Sequence, residues 1–372
     1  MTLPLTQQPR QRILALVTDA FGSHGGIARY NRDLIAALAG AEHAADIVVL
    51  PRIGDSAGSQ IGERVTQLAA RRGRLAYARA AWQASRRHGP FDVVFCGHLY
   101  MVPLAAVIAR RLGVPLWLQV HGIEAWAAPG RLVRWAADRA SLVTSVSRAT
   151  RARMLSWSGL DDWRIKVLPN TFDAAFSAVA REPHRKKAVG RLDLTGRDVI
   201  LTVARLSAGE RYKGHDRVIA ALPRVIARCP AATYVIVGDG DDRSRLEALA
   251  GEAGVADRVC FAGQVGVDEL SDFYRAADVF VMPSTGEGFG IVYLEAAAAG
   301  LPVIAGNCDG SVDALADGVL GTLVDPLDTA AIGDAIIDAL EVRKPRVDVG
   351  RFATAHFARH AAGLARSLGQ AA

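Results

Sequence analysis

The sequence predicts an α/β protein built from two doubly wound domains, in each of which helices cover both faces of a parallel sheet. Short apolar runs alternate with amphipathic helical segments along the chain, and this alternation is typical of parallel βαβ units, whose strands are buried on both faces. A polar stretch at 174–197, which contains proline and a basic cluster, interrupts the series and fits a linker. At about 150 residues per domain, the 372 residues also favour two domains.

The first half of the chain contains six apolar runs, with a helical segment between each pair of neighbours. The runs predict strands at 13–18, 47–50, 92–96, 115–120, 142–146 and 165–168. The segments between them predict helices at 25–38, 61–88, 99–112, 132–140 and 148–157. The second of these helices is long and basic, and Gly73 is the residue at which it could break.

The second half repeats the pattern after the polar stretch. Strands are predicted at 199–204, 233–237, 258–261, 279–282 and 302–305. Helices are predicted at 215–228, 244–250, 269–276 and 291–299, with closing helices at 330–341 and 352–368. Ligands of doubly wound sheets bind at the carboxyl ends of the strands, so we expect a cleft between two facing sheets.

Composition excludes several other classes of protein. Hydrophobic residues make up 51% of the chain and charged residues 22%, which is too apolar for a disordered chain. No two of the four cysteines lie within five residues of each other, which excludes a CxxC metal or redox pair and favours reduced thiols. No apolar run reaches the ~18 residues of a membrane-spanning helix, and the polar start lacks the apolar stretch of a signal peptide, so we expect a cytoplasmic protein.

The net charge of +6 is unevenly distributed. Residues 1–170 contain 22 Lys and Arg against 11 Asp and Glu, whereas residues 171–372 contain 22 against 27. This asymmetry predicts an acidic partner for the first half, such as anionic lipid or a phosphorylated substrate. Nucleic acid is not expected, because no nucleic-acid-binding motif accompanies the charge.

A glycine-rich turn follows the first predicted strand, where residues 22–26 read Gly-Ser-His-Gly-Gly. Gly25 and Gly26 would let backbone N–H groups approach a phosphate at the N-terminus of the next helix. The pattern is neither GxGxxG nor a P-loop, so a nicotinamide cofactor and a Walker-type phosphate site are not indicated. Two ordinary turn glycines are the alternative interpretation.

Two cations flank the loop after the first strand of the second half. Arg205 comes just after that strand and Lys213 just before the following helix, so both are expected at the carboxyl edge of the sheet. A guanidinium and an ammonium together suit a diphosphate, whose charge they could neutralise as it leaves. Two solvated loop cations would give the same pattern.

Residues 286–295, Gly-Glu-Gly-Phe-Gly-Ile-Val-Tyr-Leu-Glu, contain the most specific motif. Glu287 lies in a glycine loop, and Glu295 lies about one turn into an otherwise apolar helix. A carboxylate buried in such a helix is costly unless it is paired, and sugar hydroxyls are suitable partners. In the first half, His121 ends a predicted strand and so lies at the carboxyl edge of that sheet, although a structural histidine is the alternative.

Taken in order, these motifs resemble the retaining glycosyltransferases of family 4, the group 1 glycosyltransferases. The set comprises the Gly-Gly loop, Val-His-Gly at 120–122, Val-Leu-Pro-Asn at 167–170, the 202–214 segment with its two cations, Val-Gly-Asp-Gly at 237–240 and the two glutamates of 286–295. The resemblance implies the GT-B fold, in which two Rossmann-like domains face a cleft, and a nucleotide-sugar donor bound without a metal. It implies an acceptor domain at 1–175, a nucleotide-sugar domain at 176–350 and a closing helix in 351–372 that crosses back onto the first domain.

The resemblance also implies a role for each candidate residue. Arg205 and Lys213 would bind the donor diphosphate and stabilise the leaving nucleoside diphosphate, and Glu287 would lie beside the donor sugar. His121 would contact the transferred sugar near the reacting centre. The remaining positions would supply further contacts: Gly25 and Gly26 to the diphosphate or acceptor, the backbone of Phe289 and Gly290 near the sugar hydroxyls, Glu295 to the ribose and Val265 beside the base.

The segment 305–318 resembles mannosyltransferases of bacterial exopolysaccharide assembly, so GDP-mannose is the expected donor and a lipid-linked saccharide the expected acceptor. The alternatives are a UDP-sugar donor, a GT-B sugar-nucleotide epimerase and a non-catalytic nucleotide-sugar-binding module. Cations and helix dipoles aimed at the departing phosphate would stabilise the transition state. Front-face attack with the leaving phosphate as base is favoured over a covalent intermediate, because no carboxylate nucleophile stands out beyond the Glu287 region.

Two basic stretches of the first half contain interleaved aromatic residues. Residues 63–88 contain seven arginines together with Tyr77 and Trp82, and residues 131–157 contain six arginines together with Trp135 and Trp157. Basic amphipathic helices with tryptophan suit an anionic membrane surface. We therefore expect peripheral association with the inner face of the cell membrane, and a solvated basic face is the alternative.

Overall fold

The computed structural model describes residues 10–22, 25–40, 45–54, 62–176, 189, 192–342 and 345–369, apart from the side chains at 267 and 268. The chain forms two compact units: unit 1 is Met1–Thr171 with Thr354–Ala372, and unit 2 is Phe172–Ala353. The boundaries expected from the sequence, 175 and 350, differ from these by four and three residues. Most of the expected linker at 174–197 lies outside the described residues.

Unit 1 is built on a parallel sheet of seven strands. They are β1 (Arg12–Val17), β2 (Asp46–Pro51), β3 (Val65–Gln67), β4 (Val93–Cys96), β5 (Leu116–Val120), β6 (Leu142–Ser145) and β7 (Ile165–Val167). Their order is β3-β2-β1-β4-β5-β6-β7, so the direction of winding reverses between β1 and β4. All four residues of β4 and all five of β5 are buried, including the polar Gln119 of β5, as expected for central strands of a sheet covered on both faces.

Helices cover this sheet and include one from the end of the chain. They are α1 (Gly26–Gly40), α2 (Arg74–Arg87), α3 (Val102–Leu112), α4 (Arg131–Ala137), α5 (Arg148–Leu155) and α12 (Thr354–Gly369). The C-terminal α12 packs against α1, and the rings of Tyr30 and Phe357 meet edge to face with their centroids 5.7 Å apart. This contact attaches the last helix to unit 1.

Unit 2 repeats the architecture with a six-stranded parallel sheet. Its strands are β8 (Asp198–Val203), β9 (Ala232–Val237), β10 (Val259–Gly263), β11 (Val279–Met282), β12 (Val303–Gly306) and β13 (Thr322–Val324). Its helices are α6 (His215–Arg228), α7 (Arg243–Glu252), α8 (Val267–Ala276), α9 (Ile291–Ala298), α10 (Ser311–Ala314) and α11 (Thr329–Glu341). The strand order is β10-β9-β8-β11-β12-β13, and the winding reverses between β8 and β11.

Each unit has its own apolar core between sheet and helices. In unit 1 the core includes Leu16, Val94 and Leu118, all fully buried, and in unit 2 it includes Ile200 and Val281. No helix within the described residues combines the length and the apolar character needed to span a bilayer. The alternation of strands and helices, and the α/β class that it predicted, are confirmed.

The helix predicted at 61–88 is wrong over its first part. Residues 65–67 form β3, which pairs with β2 in parallel register, and α2 begins only at Arg74, after Gly73 with φ +88°. Val65 and Gln67 are buried whereas Thr66 is exposed, which is the alternation of a strand. Hydrogen bonds to the edge of β2 stabilise a strand here, although the local amphipathic pattern favours a helix. The prediction also missed α10 and β13, which are too short to show a period.

The aromatic residues expected to face a membrane mostly face the core of unit 1. Tyr77 is 3% exposed and donates its hydroxyl to the Leu50 carbonyl at 2.7 Å. Trp82 packs against the core beneath the Arg111 guanidinium, 4.6 Å from the ring centroid, and Trp157 is 6% exposed. Of the four named aromatics, Trp135 on α4 is the exposed one, at 41%. The aromatic residues of α2 therefore have a structural role, because the helix face that contains them packs against the core of unit 1.

Candidate active site

Two loops meet at the carboxyl edge of the unit 2 sheet, beside the reversal between β8 and β11. One follows β8 and contains Arg205 and the 3-10 segment Ala208–Lys213. The other follows β11 and contains Glu287. The Thr285 N–H donates to the Tyr212 carbonyl at 2.9 Å and joins the loops. Doubly wound sheets bind their ligands at this reversal, so the candidate residues lie where the topology places a site.

Gly214 sets how closely the two loops approach. Its φ is +80°, and a Cβ at this position would lie 2.6 Å from the carbonyl oxygen of Pro283, just after β11. Glycine adopts this conformation without strain and leaves room for that carbonyl. Because Lys213 directly precedes Gly214, this close approach places the lysine beside the glutamate loop.

Lys213 and Glu287 form a mostly buried ion pair. The Lys213 Nζ donates to Glu287 Oε1 at 2.8 Å, and the two side chains are 15% and 14% exposed. Burial by itself lowers the pKa of Lys213, but the charge of Glu287 and its hydrogen bond outweigh burial and raise the pKa. Burial also raises the pKa of the neighbouring Tyr212 phenol to about 12. The site therefore holds a fixed ammonium next to a neutral phenol at neutral pH.

Glu210 adds a second acid to this group and contacts both cations. Its carboxylate accepts a hydrogen bond from the Arg205 guanidinium, and its Oε2 lies 3.7 Å from Lys213 Nζ. Arg205 reaches into solvent with 79% of its side chain exposed, whereas Glu210 is 16% exposed. Two acids thus balance two cations, and the four charges cancel without a ligand.

Asp309 stabilises the loop after β11 that contains Glu287. It is 2% exposed, and its carboxylate accepts from the Glu287 N–H at 2.6 Å and from the Ser311 N–H at 2.9 Å. Burial raises the pKa of Asp309 even though these donors stabilise its charge. The Glu287 carbonyl in turn accepts from the Gly310 N–H at 2.9 Å. The backbone of Glu287 is therefore held on both sides.

The residues expected to contact the donor sugar and ribose lie at the start of α9. Gly290, with φ +88°, is the residue before the helix, and Phe289 is 2% exposed with its ring 5.7 Å from that of Phe352. Glu295 is 5% exposed, and its Oε2 accepts from the Tyr274 hydroxyl at 3.0 Å. The buried carboxylate therefore has a partner within the protein. Val265 is partly buried and follows β10, at the same edge of the sheet.

Gly25 and Gly26 lie where β1 leads into α1 in unit 1. Neither has a positive φ, and a Cβ on either would meet no described atom within 4 Å. Packing among the described residues therefore does not require glycine at these two positions. They differ in this from Gly214, where a side chain would strike the backbone.

His121 follows β5 in unit 1, and its ring is held by the loop after β4. The ring Nε2 lies 3.0 Å from the Gly97 carbonyl oxygen, and the ring meets Tyr30 edge to face at 5.2 Å. Since a carbonyl oxygen can only accept, Nε2 carries the proton and Nδ1 carries the lone pair. Burial lowers the pKa of His121 to about 4, although Glu124 opposes the shift. The ring is a neutral acceptor at neutral pH.

A second histidine, His98, accompanies His121 at this edge. It follows β4, its ring centroid lies 6.3 Å from that of His121, and its Nδ1 accepts from the Tyr100 N–H at 3.3 Å. Burial lowers the pKa of His98 as well. Two uncharged imidazoles thus lie at the carboxyl ends of neighbouring strands.

The structure brings Lys213, Glu287 and Arg205 together in unit 2, with Arg205 linked through Glu210. Gly25, Gly26 and His121 belong to unit 1. Sequence reasoning missed Glu210, Asp309 and His98. Their positions after β8, β12 and β4 were the available signal, because residues at the carboxyl ends of parallel strands are site candidates.

Two family models match the chain, one for each unit. Glycosyl transferase 4-like domain matches residues 25–171, and Glycosyl transferases group 1 matches residues 185–356. Together they cover the same order of motifs from which the resemblance was drawn.

The chain is also similar to several curated bacterial enzymes. It is 35% identical over 262 residues to the GDP-mannose-dependent alpha-(1-6)-phosphatidylinositol monomannoside mannosyltransferase of Mycolicibacterium smegmatis, spanning 67% of each chain. It is 33% identical over 300 residues to the D-inositol 3-phosphate glycosyltransferase of Acidothermus cellulolyticus, spanning 74% of this chain and 65% of the other.

Solved structures share the fold at lower identity. Anabaena HepE in complex with UDP matches with a TM-score of 0.78 and 21% identity, over 96% of this chain and 100% of that one. Sucrose-phosphate synthase from Thermosynechococcus elongatus matches with a TM-score of 0.73 and 21% identity, over 98% and 100%. These neighbours are GT-B glycosyltransferases, and the chain shares their pair of Rossmann-like units. The chain belongs to the group 1 glycosyltransferases, the family with a GT4-like N-terminal domain, and is a glycosyltransferase.

Proposed function

We propose that this glycosyltransferase transfers mannose, with retention of configuration, from GDP-mannose to a lipid-linked saccharide in exopolysaccharide or related glycan synthesis. The mostly buried Lys213–Glu287 pair is the observation on which the proposal depends most. We propose that the Lys213 ammonium, at the reversal of the sheet, binds the diphosphate and that the adjacent Glu287 carboxylate accepts hydrogen bonds from sugar hydroxyls. The identity to enzymes named as GDP-mannose-dependent mannosyltransferases supports this donor.

In this reaction the bond between the anomeric carbon and the diphosphate breaks as the acceptor hydroxyl oxygen bonds to the same carbon. The acceptor proton passes to an oxygen of the departing phosphate. Lys213 and Arg205 would stabilise the charge that develops on that phosphate, which is the electrostatic form of catalysis. Front-face attack of this kind requires no protein nucleophile.

Unit 1 would meet the acceptor and the transferred sugar. The neutral His121 ring offers an acceptor nitrogen to a sugar hydroxyl, and the backbone N–H groups of Gly25 and Gly26, where β1 leads into α1, would bind an anion. Within unit 2, we propose that Glu295 binds the ribose, Val265 adjoins the base, and the amides of Phe289 and Gly290 approach the sugar.

The donor is tested by thermal stability with added nucleotides. A ligand that binds the folded state raises the unfolding temperature by an amount that grows with the logarithm of its concentration divided by its Kd, so we expect GDP to stabilise more than UDP or ADP at equal concentration. A larger effect of UDP would favour a UDP-sugar, the donor class suggested by solved structures named as complexes with UDP and UDP-glucose. Release of GDP from GDP-mannose should depend on acceptor and persist in EDTA, because the proposal includes no metal.

Epimerisation and binding without turnover predict different products. An epimerase would yield a free epimerised nucleotide sugar without acceptor, and a binding module would release no nucleoside diphosphate. Nuclear magnetic resonance of the anomeric proton separates these outcomes and reports retention at the same time. An inverted product would contradict the proposed stereochemistry.

The membrane surface that we propose is the exposed face of α4. Leu132 and Trp135 are 64% and 41% exposed, and the Arg139 guanidinium lies 3.8 Å from the centre of the Trp135 ring. Arg131 and Arg134 are exposed on the same helix. Tryptophan with flanking arginines suits an anionic leaflet. We propose that this face docks on the inner surface of the cell membrane, where a lipid-linked acceptor would be presented.

Vesicle sedimentation tests this surface against a matched one. We expect binding to vesicles with anionic lipid, weakened by salt and by Trp135→Ala. Trp163→Ala is the control, because Trp163 is 61% exposed and also adjoins an arginine, Arg164, at 5.2 Å. Equal binding to neutral and anionic vesicles, or equal losses in the two variants, would exclude docking through α4.

A further inference from the structure

We infer that Glu210 is a positioning residue that orients Arg205 toward the departing diphosphate. The inference rests on the proposed function, which places Arg205 at that phosphate. Arg205 has a long side chain that is 79% exposed, and its guanidinium donates to the Glu210 carboxylate. An exposed arginine without such a partner would sample many rotamers, whereas a charge-assisted hydrogen bond selects a few of them.

Glu210 is the fixed member of this pair. Its side chain is 16% exposed, and its N–H donates to the Ser207 carbonyl at 2.8 Å. The segment is anchored on both sides of Glu210. The Ala208 N–H donates to the Asp241 carboxylate at 2.8 Å, and the Arg211 guanidinium donates to the Asp242 carboxylate at 2.9 Å. The acid therefore sets where the guanidinium lies, and not the reverse.

Glu210 also links Arg205 to Lys213. Its Oε2 accepts no hydrogen bond from the described residues and lies 3.7 Å from Lys213 Nζ, a charge contact and not a hydrogen bond. One carboxylate thus holds two cations at neighbouring positions. The same negative charge would repel a diphosphate that binds there, so Glu210 favours orientation of the cation at some expense of affinity.

These opposed effects predict that a substitution of Glu210 lowers kcat without lowering nucleotide affinity. Loss of folding would lower both. Glu210→Gln keeps the size of the side chain but removes its charge. We expect GDP or UDP to bind as tightly as before or up to about tenfold more tightly, because a repulsive charge is gone. We expect kcat to fall about tenfold or more, since a misplaced group can cost up to about a hundredfold. Glu210→Asp should recover part of kcat.

The experiment combines calorimetric binding of GDP and UDP with steady-state kinetics on four proteins: wild type, Glu210→Gln, Arg205→Ala and the double variant. If Glu210 acts through Arg205, the double variant turns over no more slowly than Arg205→Ala alone. A loss of kcat in the double variant that equals the product of the two single losses would overturn the inference. So would unchanged kcat with tighter binding, which would make Glu210 a charge regulator only, or binding and kcat lost together.

Glu341→Gln is the matched control, because Glu341 pairs with Arg228 at 2.6 Å on the far ends of α6 and α11 in the same unit. It should leave binding and kcat unchanged. Failure of the wild type to bind either nucleotide would contradict the proposed function, and with it the inference. Normal wild-type binding without coupling between residues 205 and 210 would contradict the inference alone.

Discussion

The carboxyl edges of the two sheets share a topology but differ in charge. In both sheets the winding reverses beside the first strand of the unit, between β1 and β4 and between β8 and β11. At the edge in unit 2 lie two cations and two carboxylates in contact, led by the Lys213–Glu287 pair at 2.8 Å. At the edge in unit 1 lie two histidines whose pKa values burial lowers. One scaffold thus supports a cluster of charged side chains in unit 2 and a pair of uncharged imidazoles in unit 1.

The difference follows from what each loop supplies to a buried group. Lys213 gains a carboxylate partner that outweighs the effect of burial, so its charge is kept. The Gly97 carbonyl and the charge of Glu124 raise the pKa of His121, but burial outweighs them and the ring stays neutral. The cations of unit 2 suit an anionic diphosphate, and the uncharged imidazoles of unit 1 suit sugar hydroxyls. The topology places a site, and the partners of each buried group decide its chemistry.

Removal of the cation from the charged edge should have the largest effect. Lys213→Ala deletes the ammonium that we propose binds the diphosphate and leaves the Glu287 carboxylate, 14% exposed, without its lysine partner. We expect turnover to fall by about 10²–10³, the range found when one donor to a developing negative charge is lost. Steady-state kinetics measure this. Lys166→Ala, at an exposed position of β7, is the control. Near-normal turnover in Lys213→Ala would remove the phosphate role.

Acid should destabilise both units through their buried histidines. His121 in unit 1 and His215 in unit 2, which is 5% exposed, each have a pKa lowered to about 4, first by burial. Between pH 6.5 and pH 4 the unfolded chain binds protons that the folded chain does not, so the free energy of unfolding falls as the pH falls. His215 can account for about 3 kcal/mol over this range.

Urea unfolding at several pH values measures how steeply the free energy of unfolding changes with pH. His215→Gln should flatten this dependence, whereas a substitution at the exposed His356 should not. A pH dependence that stays the same in His215→Gln would mean that this ring is protonated in the folded state.

Loss of the uncharged His121 ring should have the smallest of these effects. His121→Ala removes the Nδ1 acceptor and the contact with Gly97, and we expect kcat to fall about tenfold, the effect of losing one hydrogen bond, with little change in nucleotide affinity. Calorimetry with GDP and UDP provides the second reading. A loss of nucleotide affinity as large as that of Lys213→Ala would mean that the two edges do not differ in role.

Much of the fold could be predicted because strand and helix periods are local. The helix His215–Arg228 and the strand Val279–Met282 have the bounds read from the sequence. The strand β3 could not be predicted, because its three residues lie in an arginine-rich amphipathic stretch and become a strand only by pairing with β2. Tyr77 was misread for a related reason: the amphipathic pattern shows that two faces differ but not which one meets the sheet.

The site could be predicted only in part. The motifs place Lys213 and Glu287 each at the carboxyl edge, but their ion pair joins residues 74 apart, and that contact is set by the close approach at Gly214. Asp309 was missed because its partners are backbone N–H groups, which leave no trace in the sequence. Glu210 was missed because a charged residue in a polar loop looks solvated until the burial of its side chain is known.

The central claim is that the charged edge of unit 2 recognises a diphosphate through Lys213. Calorimetry with the diphosphate and monophosphate of one base, GDP with GMP and UDP with UMP, tests it most directly in wild type and in Lys213→Ala. We expect the wild type to bind the diphosphate about 10- to 100-fold more tightly than the monophosphate, and the variant to lose most of this preference. Equal binding of the two nucleotides by the wild type, or an undiminished preference in the variant, would contradict it.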